Sequence, residues 1–321
     1  MEFWSEYPEI QEILYEVEEY MKQSIVSRKP LLTEISLDLV EAGGKRLRPT
    51  FTILAAQQGK AYQPDTIIPI AGAIELLHTA TLVHDDIIDE AKFRRGKQSV
   101  YSKWGKDMAI YTGDYLFSRA FMMLSKKTSF NQLYYLAHGI KAICEGEVDQ
   151  HESLYNIDIK VYDYLKRIYR KTAVLFAIST TIGAHESKAP KKVIKALGEI
   201  GIAYGIAFQI KDDLLDYTTT EEIIGKPIGN DIQQGVYTLP LLYAIQEPKV
   251  GEKIKTILQQ KEIITKGDIA TVIQLVNQTK GIAKAESLGR RYIERGKRNL
   301  VYLPNTKSKK VFSDLFDQLL N

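Results

Sequence analysis

Cysteine is nearly missing: Cys144 stands alone in 321 residues. One cysteine forms no intrachain disulfide and no thiolate metal cage. It is expected to be a small buried hydrophobe in a reducing compartment. A dominant sign of charge is missing too, since the formal net charge is only +3. That argues against the basic stripe a nucleic-acid-binding protein needs, but not against small anionic substrates. Long apolar runs are also lacking. The most apolar stretch, 173–184, contains Ser179, Thr180 and Thr181 and falls short of the roughly 20 residues that span a bilayer. The first ten residues, MEFWSEYPEI, place glutamates ahead of any basic residue, which is not how a signal peptide starts. A cytoplasmic protein is expected, with peripheral membrane contact left open. Gly/Ser-rich linkers and alternating β-branched runs are scarce.

What is there is helical. Hydrophobic residues make up 45% of the chain, enough for a large core. They recur three and four apart over Ile70 to Asp89, Met108 to Leu124, Leu133 to Gln150, Ile159 to Gly183 and Val193 to Tyr217. Pro30, Pro49, Pro64, Pro227, Pro240 and Pro304 punctuate these segments. The sequence predicts one large all-α domain over residues 1–321. The alternative is a helical core with a separable C-terminal piece after about Glu247. The charge-rich run from Lys284 to Arg298 reads as a solvated helix face.

One pentapeptide pattern occurs twice, DDIID at 85–89 and DDLLD at 212–216, each closing an apolar helical stretch. On a helix, Asp85 and Asp89 share a face, as do Asp212 and Asp216. Like charges so placed repel unless a cation lies between them, and hard carboxylate oxygens suit Mg²⁺ shared with phosphate groups. The bland reading is an exposed acidic helix end. Its repetition, at the helix end where the dipole disfavours carboxylates, points instead to metal. Cations accompany the motifs: Lys45, Arg46 and Arg48 in GGKRLRP, Arg94 and Arg95 after DDIID, Lys171 beside Thr172, and Lys226 in GKPIGND. Arginine's planar fork matches phosphate. The cation surplus near Gly43 and Arg95 points to a second anionic group beyond the one the metal needs.

In order, GGKRLRP, HDDIIDEAKFRRGKQS, GDYL, EGEVDQ, RKT, FQIKDDLLDY and GKPIGNDIQQGVYTLPLLYA resemble the trans-prenyl diphosphate synthases. The likeness is greatest to the catalytic large subunit of the two-component heptaprenyl branch. It runs from about Gly43 to Ala244, and the ends match loosely. The resemblance implies an isoprenoid-synthase helical bundle with a central substrate cavity. It implies an enzyme that repeatedly adds isopentenyl diphosphate to an allylic diphosphate, such as farnesyl diphosphate. Asp85, Asp86 and Asp89, with Asp212, Asp213 and Asp216, would hold Mg²⁺, three ions per site. Arg94, Lys171, Thr172, Gln209 and Lys226 would contact the allylic substrate, with Lys171 and Thr172 also steadying the carbocation. Lys45, Arg48, His78 and Arg95 would hold isopentenyl diphosphate. Ala80, Thr81 and Leu77, on the helix leading to Asp85, would set the product's length. Short-chain relatives often carry an aromatic residue near there, and none stands before this DDIID. A medium or long product is expected, heptaprenyl diphosphate first, hexaprenyl as the alternative, for a quinone side chain. A small non-catalytic subunit or a second copy would be the partner.

The chain departs from the family where Val236 stands at the place of a lysine, which puts one phosphate contact in doubt. A class I terpene cyclase would share one DDxxD, but Asn230-Asp231 lacks the serine of the cyclase's second metal motif. A non-catalytic subunit would be expected to lose aspartates, and both motifs are complete here.

Overall fold

Pro8 opens the first long helix, where its missing N–H costs nothing. From there Ile10, Leu14, Val17 and Met21 fall on one buried stripe of α1 (Pro8–Ser24). The computed structural model describes residues 2–218 and 229–320. Lys226 lies outside the described residues. The next helices are α2 (Pro30–Glu41), α3 (Leu47–Ala56), α4 (Pro64–Ile88), α5 (Val100–Trp104), α6 (Lys106–Lys127), α7 (Phe130–Glu152) and α8 (Val161–Ile168). They are followed by α9 (Val174–Glu186), α10 (Lys191–Thr218), α11 (Asn230–Gln233), α12 (Leu239–Ile245) and α13 (Pro248–Leu258). The last three are α14 (Lys266–Asn277), α15 (Gly281–Asn299) and α16 (Lys307–Gln318). Among the described residues the only strands are β1 (Phe93–Arg94) and β2 (Lys97–Gln98), paired antiparallel. The fold is all-α, as expected.

Backbone contacts gather into two compact units. The first comprises Met1–Leu136, Ile178–Leu197 and Leu303–Lys309. Its axis is α4, buried almost throughout between α1, α3 and α6. Gly72 lets α4 approach closely, because a Cβ there would meet Met21 at 3.0 Å and Met123 at 3.4 Å. The second unit comprises Ala137–Ala177, Gly198–Tyr302 and Lys310–Asn321. Its core joins Tyr164, Ile206, Ile210, Leu241, Ile254 and Val272.

The segment after Glu247, the alternative separable piece, does not stand apart from α12: α13, α14 and α15 pack on it and share that core. Their charged run does behave as a solvated face, with Ala285, Gly289, Ile293 and Gly296 buried on the opposite side of α15. Cys144 is exposed rather than buried. Beside the short 173–184 stretch, the long helices α4 and α10 are also apolar. Both are long and apolar enough to cross a membrane by length and composition. Most of each apolar window is nonetheless buried inside the protein, 78% for α4 and 61% for α10.

Candidate active site

In the first unit, DDIID occupies the last turn of α4, with Asp89 as its C-cap. The turn splits the motif. Asp85 and Asp89 share a face, half-buried and exposed respectively. Asp86 turns inward, is 3% exposed, and accepts hydrogen bonds from Arg94 Nε at 2.8 Å and Nη2 at 2.5 Å. Arg94 reaches it because β1 and β2 fold back in a two-residue turn. Arg95 and Gly96 both have positive φ there, 51° and 75°, as the tight hairpin requires. Adjacent arginines therefore diverge. Arg94 points to the aspartate motif, while Arg95 donates to the Gly43 carbonyl.

The GGKRLRP loop receives Arg95. Gly44 has φ +134°, and a Cβ on it would lie 3.0 Å from the Arg95 guanidinium carbon, so only glycine leaves the guanidinium this seat. Arg46 belongs to the framework. It is 2% exposed, pairs with Glu18 at 2.8 Å and Glu75 at 3.0 Å, and donates to the Val40 carbonyl. His78 is half-buried, yet desolvation dominates its titration and holds the imidazole well below its ordinary range. Arg48, Arg95, Arg94 and Arg46 push the same way. His78 is thus a neutral hydrogen-bonding group among guanidinium ions. A cavity of about 290 Å³ lies beside these residues, with Leu39, Val83, Asp86, Arg94 and Arg95 among its walls.

Two contacts lay beyond the motifs. Trp4 donates from Nε1 to the Lys45 carbonyl at 2.7 Å. The Lys45 ammonium sits 5.3 Å from the Phe3 ring centroid, a cation–π arrangement. The aromatic pair near the N-terminus was the only signal available. GDYL also acquires a purpose. Gly113 leaves room for His84, whose Nε2 would be 2.3 Å from a Cβ at that position. Asp114 lies 3.3 Å from the same nitrogen. The motif thus braces the residue that precedes Asp85.

In the second unit, RKT does not lie in the middle of a regular helix as expected. Tyr169–Ala173 is a π-helical turn between α8 and α9, a distortion often found at functional sites. Two glycines clamp it. A Cβ on Gly146 would meet Arg170 Cβ at 2.7 Å, and one on Gly205 would meet Ala173 Cα at 2.5 Å. EGEVDQ supplies the charges: Glu147 takes Lys171 at 3.1 Å and Asp149 takes Arg170 at 2.6 Å. Gly205→Ala should displace the π turn. Overpacking of this kind costs about 1–3 kcal/mol, and the expected result is a lower melting temperature together with lost turnover. Unchanged turnover would show that the turn does not need this contact.

The second motif splits like the first. Asp212 is exposed and Asp216 half-buried on one face of α10. Asp213 is 6% exposed. It accepts from Tyr164 Oη at 2.6 Å and Gln209 Nε2 at 2.8 Å. Thr172 Oγ1 in turn donates to Gln209 Oε1 at 2.7 Å. Burial, and then the charge of Asp231, push the Asp213 carboxyl up to about 7, while the Tyr164 and Gln209 hydrogen bonds pull the other way. Asp86 and Asp213, both expected on metal, are thus also held by protein donors. Val236, at the place of the family lysine, gives its backbone N–H to the Asp231 carbonyl.

Each outward pair offers two hard oxygens on one helix face. No group of three or more potential ligands converges among the described residues. That donor set fits Mg²⁺, which keeps waters and fills its octahedron with substrate phosphate oxygens.

Residues 29–276 match the Polyprenyl synthetase family. The chain belongs to that family. It is 39% identical over 299 residues to "Heptaprenyl diphosphate synthase component 2" of Geobacillus stearothermophilus, covering 93% of this chain and 92% of that one. The crystal structure of heptaprenyl diphosphate synthase from Staphylococcus aureus superposes with a TM-score of 0.92 at 33% identity, covering 97% of each chain. A geranylgeranyl pyrophosphate synthase from Lactobacillus brevis superposes equally, with TM-score 0.92, 33% identity and coverage of 99% and 98%. The fold is thus the isoprenoid-synthase fold and the chain is a trans-prenyl diphosphate synthase. Backbone likeness alone does not set product length, since structures named for different products fit equally well.

Proposed function

We propose that this chain extends farnesyl or another allylic diphosphate with isopentenyl diphosphate to give heptaprenyl diphosphate for a quinone side chain, acting as one catalytic domain in the cytoplasm. The observation that carries the product assignment is the 39% identity to a component 2 protein over 93% of the chain. Asp85 with Asp89, and Asp212 with Asp216, would hold Mg²⁺, three ions in all. When bound, the metal neutralises charge on the leaving diphosphate.

The allylic C1–O bond breaks and its electron pair leaves with the diphosphate. The π electrons of isopentenyl diphosphate form the new C–C bond, and the proton lost next to it goes to the released diphosphate. Arg94, oriented by Asp86, and Lys171, held by Glu147, hold the allylic diphosphate, joined by Lys226. Lys45, Arg48, His78 and Arg95 hold the isopentenyl diphosphate; neutral His78 contributes a hydrogen bond where another charge would add repulsion. The partner is a small non-catalytic chain; the relative's name, component 2, supports a second component. Tyr111, Met122, Phe130 and Tyr134, exposed apolar residues of α6 and the start of α7, offer it a surface.

The experiment incubates the purified chain with farnesyl and isopentenyl diphosphates and Mg²⁺, alone and with a candidate small subunit. Chromatography of the dephosphorylated products reads chain length. A heptaprenyl product supports the assignment, and a different single length overturns it. Substrate sorting is tested separately. Arg95→Ala should raise the Michaelis constant for isopentenyl diphosphate about tenfold, for the loss of one charged hydrogen bond. Arg94→Ala should act on the allylic substrate or on turnover. Identical profiles for the two would contradict separate anchoring.

A further inference from the structure

The second aspartate of DDLLD faces away from its neighbours' shared face and ends a line of hydrogen bonds that is buried at Tyr164 and half-buried at Gln209. Tyr164 Oη donates to Asp213 Oδ2 at 2.6 Å. Gln209 Nε2 donates to Asp213 Oδ1 at 2.8 Å. Thr172 Oγ1 donates to Gln209 Oε1 at 2.7 Å. Tyr164 is fully buried, and Asp213 and Thr172 are 6% exposed.

We infer that Asp213 is a positioning residue: through Gln209 it fixes which way the Thr172 hydroxyl points, so that Thr172 Oγ1 turns its lone pairs, not its proton, toward the reacting allylic carbon.

The argument is one of donors and acceptors. Tyr164 Oη donates to one Asp213 oxygen and Gln209 Nε2 to the other, so both oxygens act as acceptors here, and an acceptor bonds the amide NH₂ of Gln209 but repels the amide oxygen. That choice removes the freedom of an amide to flip, which otherwise leaves its two ends interchangeable. With Nε2 taken by Asp213, Oε1 faces Thr172 and captures its one hydroxyl proton. A hydroxyl whose proton is committed is an oriented dipole, negative end outward. Such a dipole, fixed before the reaction, stabilises positive charge without reorganising when the charge appears. Tyr164 holds the other carboxylate oxygen and so fixes Asp213 itself. The relay lies on three elements, α8, the π turn and α10, and Gly205 sets the approach of α10 to the π turn. A carboxylate oxygen has a second lone pair beside the one each donor takes, so a metal-ligand role for Asp213 is separated from positioning by the Mg²⁺ dependence and not by these hydrogen bonds.

This inference rests on the placement of Thr172 beside the allylic carbon, and the test separates the two. Single-turnover rates, both Michaelis constants and the Mg²⁺ dependence are measured for Thr172→Val, Asp213→Asn, Tyr164→Phe and Asp216→Ala in the full chain, with its partner subunit if that is needed for turnover. Tyr164→Phe loses one hydrogen bond to a charged group and should slow turnover about tenfold. Asp213→Asn should slow it at least as much. Neither should move the Mg²⁺ requirement or either Michaelis constant more than about twofold, below the tenfold worth of one such bond, whereas Asp216→Ala should raise the Mg²⁺ requirement. Thr172→Val should be slow and Thr172→Ser near normal. If Thr172→Val turns over normally, the placement of Thr172 fails. If Thr172→Val is slow but Tyr164→Phe and Asp213→Asn are not, the relay fails. If Asp213→Asn raises the Mg²⁺ requirement as Asp216→Ala does, Asp213 is a metal ligand and the inference is overturned. Should Asp213→Asn not fold, Tyr164→Phe alone decides.

Discussion

Asp85→Ala and Asp89→Ala are each expected to lower turnover by about 10²–10³-fold, the usual worth of one group that stabilises transition-state charge, with little change in melting temperature. Both side chains lie on the outward face of the last turn of α4, half-buried and exposed, so neither fills the core. Asp86→Ala should behave differently. Its carboxylate is 3% exposed and holds Arg94 by two hydrogen bonds. Removing one partner of a buried pair leaves the other charge stranded, at a typical cost of about 3–5 kcal/mol. Arg94 keeps 28% of its side chain in solvent, so the low end of that range or less applies. Asp86→Ala should therefore lose both turnover and stability, and adding Mg²⁺ should not restore it. Steady-state kinetics over a range of Mg²⁺, read beside thermal melts, separates the cases. If Asp86→Ala matched Asp85→Ala in both readouts, the division of the motif into outward and inward carboxylates would be wrong.

That division marks the limit of what was legible beforehand. Period alone places residues four apart on one face, and Asp85 with Asp89 and Asp212 with Asp216 obey it. Period also puts the middle aspartate about 100° round the helix, since 3.6 residues make a turn, but it does not name a partner there. Arg94 is reached through a hairpin whose turn depends on Gly96, and Tyr164 lies 49 positions from Asp213. Both pairings are tertiary. The helical class and the framework of long helices were readable because the apolar residues recur at helical spacing over most of the chain. The π turn was not, because Ile159 to Gly183 keeps an unbroken apolar period. It sits in close contact with glycines on other helices, Gly146 and Gly205, which carry no pattern of their own. Cys144 was misplaced by composition, which describes the habit of a residue type and not its helix face. The anchoring of Lys45 by Phe3 and Trp4 lies outside every motif, in a part of the chain where the family likeness is loose.

Product length is where structure revises the choice of variant. On the proposed reading, a tail held by its diphosphate at Asp85 and Asp89 would run back along α4, since the charged head fixes one end and apolar residues line that direction. One turn back are Ala80 and Thr81, and two turns back is Leu77. Ala80 is fully sealed and Leu77 is 2% exposed, so both are already packed by protein. Thr81 is half-buried, with its hydroxyl turned to the His78 carbonyl at 2.8 Å. Of the three, only Thr81 is not buried. If the tail passes this turn, Thr81→Phe should therefore shorten the product while leaving the first condensation near its normal rate, because a ring there need not be forced into the core. Ala80→Phe should first cost stability, about 1–3 kcal/mol or more for forcing a ring into filled space, and shorten the product only as far as neighbours yield. Chromatography of radiolabelled, dephosphorylated products, with a thermal melt of each variant, makes the comparison. A full-length product from Thr81→Phe, with a shortened one from a stable Ala80→Phe, would move the tail to the other side of α4. Full-length product from both would remove the tail from this turn of the helix altogether.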